Sequence, residues 1–238
     1  MGKIIVIDGV DGSGKGTQCA LLKKRLNGEN YCLFSCSFPR YDDEASLFVR
    51  RYLNGNYGSN PNDVSAYEAS LCYAMDRWDY FKTNKEAREA MMDPNVIMLT
   101  DRYTTSNLIH QGTKIEDKKE QAKFNEWLWQ LEYEILGIPK PDMVIIPVLD
   151  EEYNLKLIEK RNIQSRALEN KMTKDIHEAD LEYLKRTIIS SRLMVEQMGF
   201  DVIDCMNKEG GIRTIDDIHE EIYTRVDKKI LSKVKKSI

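Results

Sequence analysis

Five short runs of this chain are apolar at most positions: Lys3–Gly9 (KIIVIDG), Tyr31–Pro39 (YCLFSCSFP), Asn95–Asp101 (NVIMLTD), Asp142–Val148 (DMVIIPV) and Phe200–Met206 (FDVIDCM). Runs without polar alternation suit strands covered on both faces, which means a parallel sheet between helix layers. The segments between them are longer and helix-forming in composition: Thr17–Leu26, Ala45–Leu53, Val64–Phe81, Lys118–Leu136 and Glu178–Met198. Strand–helix alternation predicts a doubly wound α/β domain with right-handed crossovers. A length of 238 residues favours one such domain, residues 1–238.

Two segments break the pattern. Residues 162–177 (NIQSRALENKMTKDIH) are polar, carry no clear apolar stripe and are expected to form a mobile loop or short lid. The C-terminal stretch from Tyr223 to Ile238 (YTRVDKKILSKVKKSI) is expected to be a basic amphipathic helix packed through Ile222, Val226, Ile230 and Val234.

Ligands of open parallel sheets bind beyond the carboxyl ends of the strands. Four of the five runs lead there into chemically loaded sequence: a Gly-rich loop, FPRY, DRY and DEE. One cleft gathering all four is therefore expected.

Composition narrows the partners. With 42% hydrophobic and 31% charged residues and a formal net charge of -4, no strongly basic face for nucleic acid is expected. No apolar run approaches the roughly 20 residues that span a bilayer, so no membrane association is expected. The opening MGKIIVIDG enters a strand without a leader or cleavage pattern, and Cys19, Cys32, Cys36, Cys72 and Cys205 show no framework spacing. Cys32 and Cys36 lack a second pair to complete a zinc site, so buried free thiols in a cytoplasmic protein are the expectation.

Gly9, Gly14 and Lys15 satisfy G-x-x-x-x-G-K directly after a strand and before a helix. Glycines let successive backbone N–H groups turn inward onto phosphate oxygens, and the positive end of the helix adds to them. Gly9, Asp11, Gly12, Ser13, Gly14, Lys15, Gly16 and Thr17 thus form a candidate ATP phosphate cradle. The residue after the lysine is Gly16, so the hydroxyl that often binds magnesium is displaced to Thr17. Asp11 places a carboxylate beside the phosphates, which requires something positive between them or a sugar hydroxyl as its partner. GSGKGTQ resembles nucleoside monophosphate kinases, and the acid in DGVDGSGKGT looks like the thymidylate kinase branch.

The chain resembles the thymidylate kinase family along nearly its whole length, through four motifs in order. After the loop comes FPRY, whose Phe38, Arg40 and Tyr41 would face the nucleotide acceptor; a guanidinium at a strand end suits bidentate phosphate binding. YAMDRW puts Tyr73 and Arg77 on one helix face. The resemblance implies that Tyr73 stacks the thymine and Arg77 hydrogen-bonds its exocyclic oxygen, although alone the pair also describes core packing plus a salt bridge. TDRYTTSN would supply Arg102 for the acceptor phosphate, Asn107 for the base and Asp101 for magnesium. His110 stands where many relatives carry a tyrosine that crowds the sugar 2′ position. Gly12 replaces a loop basic residue of some relatives, which shifts the phosphoryl-capping role to Arg161, Arg166, Lys171 or Lys174 in the lid. Asp175 and Glu178 resemble a lid acidic pair facing the acceptor or its magnesium, beside Asp11 and Asp101. Pro147, where relatives often end the fourth strand in Leu-Asp, implies a distorted strand end.

The resemblance implies a P-loop NTPase-type five-stranded parallel sheet with helices on both faces and a short lid. The implied reaction is ATP plus dTMP giving ADP and dTDP with Mg2+, catalysed by Lys15, Asp101, Arg102 and Arg166 in a homodimer. Another nucleoside monophosphate kinase, a deoxynucleoside kinase and a non-catalytic nucleotide-binding regulator are the alternatives.

Overall fold

The central strand β1 (Lys3–Ile7) shows how the layers assemble, in a computed structural model that describes residues 1–168 and 176–236. Alternate side chains of a strand point to opposite faces. Ile5 and Ile7 accordingly pack with Leu22 and Leu26 of α1 (Lys15–Gly28). Ile4 and Val6 join the other layer, with Tyr80 and Phe81 of α3 (Ala66–Thr83), which follows the short α2 (Leu47–Leu53). Met91 of α4 (Lys85–Met92) completes that packing.

The remaining strands are β2 (Cys32–Ser37), β3 (Val96–Asp101), β4 (Met143–Val148) and β5 (Asp201–Asp204), and all pairings are parallel in the order β2-β3-β1-β4-β5. The five predicted runs are these five strands. β1 and β3 are neighbours whose following connections run in opposite directions along the sheet, so a ligand-binding crevice opens between their ends. The register Ile7↔Asp101 puts the Gly-rich loop beside the DRY motif.

The other helices are α5 (Lys118–Trp129, continued by a π-helical turn, Gln130–Ile135), α6 (Glu151–Leu168), α7 (Ile176–Ala179), α8 (Leu181–Met198) and α9 (Ile215–Lys229). None is long and apolar enough to cross a membrane among the described residues. Several boundaries differ from expectation for local reasons. The first half of the predicted lid continues α6, because no proline or glycine interrupts residues 151–168. Asp180 caps Tyr183 N and so splits the predicted Glu178–Met198 helix in two. Asn84 likewise starts the unanticipated α4 by accepting from Ala87 N. The C-terminal helix begins at the Thr214 cap and ends at Lys229, earlier than its basic tail suggested. Ile222, Val226, Ile230 and Val234 are nonetheless all buried.

Pro147 does not distort its strand: it pairs with Ile203 and Val148 with Asp204. Asp8 N donates to the Ile145 carbonyl, so residues 145 and 147 share the edge facing β1. At Pro147 that neighbour has already turned into the Gly-rich loop, and no ladder donor is required. The five cysteines are free, with Cys205 buried and Cys32 exposed at the sheet edge rather than buried as expected.

Because Ile5 is fully buried in the central strand, Ile5→Ala is expected to cost about 2–5 kcal/mol. Urea unfolding would show this as a lower midpoint with an unchanged slope.

Candidate active site

Three glycines of the loop need the left-handed side of backbone space: Gly9 at φ 140°, Gly12 at φ 77° and Gly14 at φ 84°. Gly14 precedes α1, whose first turn has no side-chain cap, leaving its N–H groups for an anion. At Gly12 a Cβ would meet the Asn154 carbonyl oxygen at 2.7 Å and Ile158 at 3.0 Å. Helix α6 is therefore seated on the loop, and Asn154 Nδ2 donates to the Asp11 carbonyl at 2.6 Å. That seat is why no basic side chain stands at residue 12.

Lys15 curls back over the loop, its Nζ 3.3 Å from the Val10 carbonyl and 3.2 Å from Asp11 Oδ1. Burial, and then the charge of Arg102, lower its affinity for the proton. Ser13 Oγ, Gln18 Oε1, Asn154 Oδ1 and Asp101 Oδ1 are buried without a hydrogen-bond partner. Such orphaned polar atoms are uncommon, and those of Ser13, Asn154 and Asp101 beside the loop suit a polar, ion-bearing ligand. Burial pushes the Asp101 carboxyl above its usual range. Gly16 brings the first turn of α1 against that carboxylate, a Cβ there lying 3.6 Å from Asp101 Oδ2.

Asp8, absent from the sequence-derived site, organises both loops. Fully buried, it accepts from Gly9 N at 2.8 Å, Ser106 Oγ at 2.7 Å, Tyr103 N at 3.3 Å and Thr105 Oγ1. The available signal was an acid closing an otherwise apolar strand run. Between these anchors Arg102 takes a left-handed backbone, φ 65°. Its Nη2 donates to Asp11 Oδ1 at 2.6 Å and its Nη1 to His110 Nε2 at 2.9 Å. Lys15 and Arg102 thus flank Asp11, and they supply the positive charge that an acid beside phosphates requires.

One pocket beside the loop is lined by Asp11, Phe38, Tyr41, Tyr73, Arg77, Arg102, Asn107, His110 and His177. Arg40 is not brought into this lining. Its guanidinium is held by Asp76 at 3.0 Å, Asp43 at 2.9 Å and Asp79 at 2.9 Å, so it braces the turn that carries Phe38 and Tyr41. Arg77 is almost fully buried and forms a two-point ion pair with Glu132, at 2.7 and 2.5 Å. Arg77 thus forms the salt bridge that its place on α3 alone suggested, and it also lines the pocket. The backbone of Arg161 and Arg166 lies in α6 and that of Glu178 in α7, but their side chains, like Lys171, Lys174 and Asp175, lie outside the described residues. A second, more apolar pocket between α5, β4 and β5 holds none of these groups.

His177, from α7, closes the pocket opposite His110, the rings stacked at 6.5 Å and 21°. Lys114 Nζ donates to the Tyr52 hydroxyl at 2.8 Å, and that hydroxyl is hydrogen-bonded to His177 Nε2 at 2.7 Å. Burial, and then the charge of Lys114, lower the His177 pKa to about 3, which keeps the imidazole neutral. Nothing in its spacing singled out His177 as a pocket residue.

The molecule is a doubly wound nucleotide-binding protein of the P-loop kind, with a pocket built against its phosphate loop. More narrowly, the chain belongs to the thymidylate kinase family, whose model matches residues 7–198. It is 28% identical to the probable thymidylate kinase of Methanococcus aeolicus over 232 residues, covering 97% of this chain and 100% of that one. It is 26% identical over 215 residues to the thymidylate kinase of Schizosaccharomyces pombe, covering 87% and 93%. The fold is shared with a solved thymidylate kinase from Candida albicans, at TM-score 0.64 and 18% identity over 95% of this chain and 92% of that one.

The buried neutral His177 makes stability pH-dependent. Its folded pKa of about 3 lies below the unfolded value near 6.5, so the unfolded chain binds more protons in that window. Stability is therefore lost as pH falls from about 6.5 towards 3. Relative to wild type, His177→Phe is expected to lose about 2 kcal/mol less between pH 7 and pH 5, measured by urea unfolding at both values.

Proposed function

We propose that this protein transfers the γ-phosphoryl group of ATP to dTMP, giving ADP and dTDP. The observation that carries this reading is the position of Arg102: it is ion-paired to Asp11 of the phosphate loop and at the same time lines the pocket shared with Tyr73, Arg77 and Asn107. A cation standing between a nucleotide phosphate cradle and a base-sized pocket suits a phosphorylated acceptor better than a bare nucleoside or water.

The acceptor phosphate is itself the nucleophile, so no covalent intermediate with the protein is needed. Catalysis is positioning plus charge neutralisation. The N–H groups of Gly9–Thr17 hold the ATP phosphates and Lys15 reaches their outer oxygens. Arg102 holds the acceptor phosphate and turns it towards the γ-phosphoryl group, with Tyr41 at the same mouth. Tyr73 stacks the base, while Arg77 and Asn107 take its polar edge. His110 and His177 wall the sugar side in place of a single phenol. Arg166 would cap the transferring group, and Asp175 and Glu178 would face the acceptor from the lid.

Asp101, with its orphaned oxygen, and Asp11 fit a Mg2+ site, directly or through water. Among the described residues no three acidic, His or Cys side chains form a complete metal cage, which suits a cation that keeps waters and phosphate oxygens as ligands. The ion would supply charge neutralisation on the phosphoryl oxygens. A cytoplasmic homodimer accompanies this reading, and Leu71 and Met75, exposed one turn apart on α3, offer an apolar contact for a second copy.

A coupled assay across dTMP, dUMP, AMP, CMP and GMP tests the proposal, with dTMP expected to be the best acceptor. Better transfer to AMP or CMP would make the protein another nucleoside monophosphate kinase, and nucleotide binding without transfer would make it a regulator. Arg102→Ala is expected to lower kcat/KM for dTMP by roughly 100- to 1000-fold, about 2.7–4 kcal/mol of barrier, while circular dichroism shows the fold retained. An unchanged kcat/KM would remove Arg102 from the mechanism.

A further inference from the structure

The buried carboxylate of Glu132 faces two residues of the pocket wall at once. It is fully buried on the π-helical continuation of α5. Its Oε2 accepts from Arg77 Nε at 2.7 Å, and its Oε1 accepts from Arg77 Nη2 at 2.5 Å and from Asn107 Nδ2 at 3.0 Å. Asn107 Nδ2 donates its second hydrogen to the Ser70 carbonyl at 3.2 Å.

These contacts leave the Asn107 amide one orientation. Turned over, its oxygen would face a carboxylate and a carbonyl, which are both acceptors. Both N–H groups are therefore consumed by the protein, and the atom left for the pocket is Oδ1, an acceptor. Arg77 is fixed in a complementary sense. The ion pair occupies Nε and Nη2, while Nη1, which can only donate, takes no partner among the described residues. The wall thus offers a donor from Arg77 next to an acceptor from Asn107.

We infer that Glu132 is a specificity-determining positioning residue, which sets Arg77 and Asn107 to read a pyrimidine with an oxo group at C4 and a hydrogen on N3. Thymine and uracil present that acceptor–donor order. Cytosine presents the reverse, an amino group at C4 and a bare N3, and meets a donor with a donor and an acceptor with an acceptor. Reading by buried polar groups discriminates strongly because a mismatched ligand leaves them unpaired. Glu132 touches no substrate and acts only through its two neighbours. The inference rests on the acceptor-pocket assignment above.

Glu132→Gln tests it, because the amide keeps the shape but can present either an oxygen or an N–H2 group to Asn107. With wild type as reference, kcat/KM for dTMP is expected to fall about 10- to 100-fold, chiefly through KM, with KM for ATP unchanged. Transfer to dCMP is expected to hold or rise, so that the preference for dTMP over dCMP contracts at least about tenfold. A folded Glu132→Gln protein with an unaltered preference overturns the inference. A second measurement needs no Glu132 variant: in wild type without nucleotide, both side-chain N–H protons of Asn107, identified by their loss in Asn107→Asp, are expected to exchange slowly with solvent. Rapid exchange of either overturns it as well. Should wild type turn over no dTMP at all, the proposed function fails while the exchange measurement still decides the Glu132 network.

Discussion

The site depends on one buried anion, Asp8. A carboxylate wholly removed from water is costly unless its oxygens are saturated with donors. Asp8 meets that requirement by drawing in Gly9 from one strand end and Tyr103, Thr105 and Ser106 from the next. Two connections that leave the sheet in opposite directions are thereby held edge to edge. The left-handed backbone of Arg102 follows, since that residue is caught between the β3 end and the anchored Tyr103. Such a conformation is unfavourable for a non-glycine residue and persists where its surroundings determine it. Its consequence is useful: the guanidinium is laid across Asp11, between the phosphate loop and the neighbouring pocket.

From that anchor outward, the described cations of the crevice are each set against acids. Arg77 and Arg40 have carboxylate partners buried to 0% exposure, Glu132 and Asp76. Lys15 and Arg102 share the carboxylate of Asp11 at the mouth, with Asp8 and Asp101 near enough to act on both charges. The deep guanidinium is thus held for shape and direction, whereas Lys15 and Arg102 stand at the mouth of the pocket. His110 and His177 continue the wall as neutral rings, because burial beside Arg102 and Lys114 opposes a further positive charge. The arrangement gathers Lys15 and Arg102 where two phosphate groups would meet.

Much of the fold was legible along the chain. Runs such as Ile4–Ile7 and Val144–Ile146 are apolar on both faces, and only a strand between two helix layers satisfies both. The phosphate loop was equally legible, because its glycines answer a backbone requirement that is local in sequence. What was not legible was also physical. Arg40 and Arg77 are both arginines at chemically loaded positions, yet one is consumed by Asp43, Asp76 and Asp79 while the other both pairs with Glu132 and lines the pocket. The partner acid Glu132 lies 55 positions away, at a distance no spacing rule reaches. His177 entered the pocket because α7 was folded over Tyr52 and His110.

The sequence by itself determined the strand–helix alternation, the Gly-rich loop and the set of charged groups at the strand ends, since these follow from periodicity and backbone sterics over a few residues. Only the tertiary structure decided which of those charges are spent on one another and which face the ligand. It also decided that Asn107 turns its oxygen to the pocket and that Asp8 binds the two loops. Hydrogen bonds and ion pairs depend on distance and direction in space, and a linear order of residues carries neither.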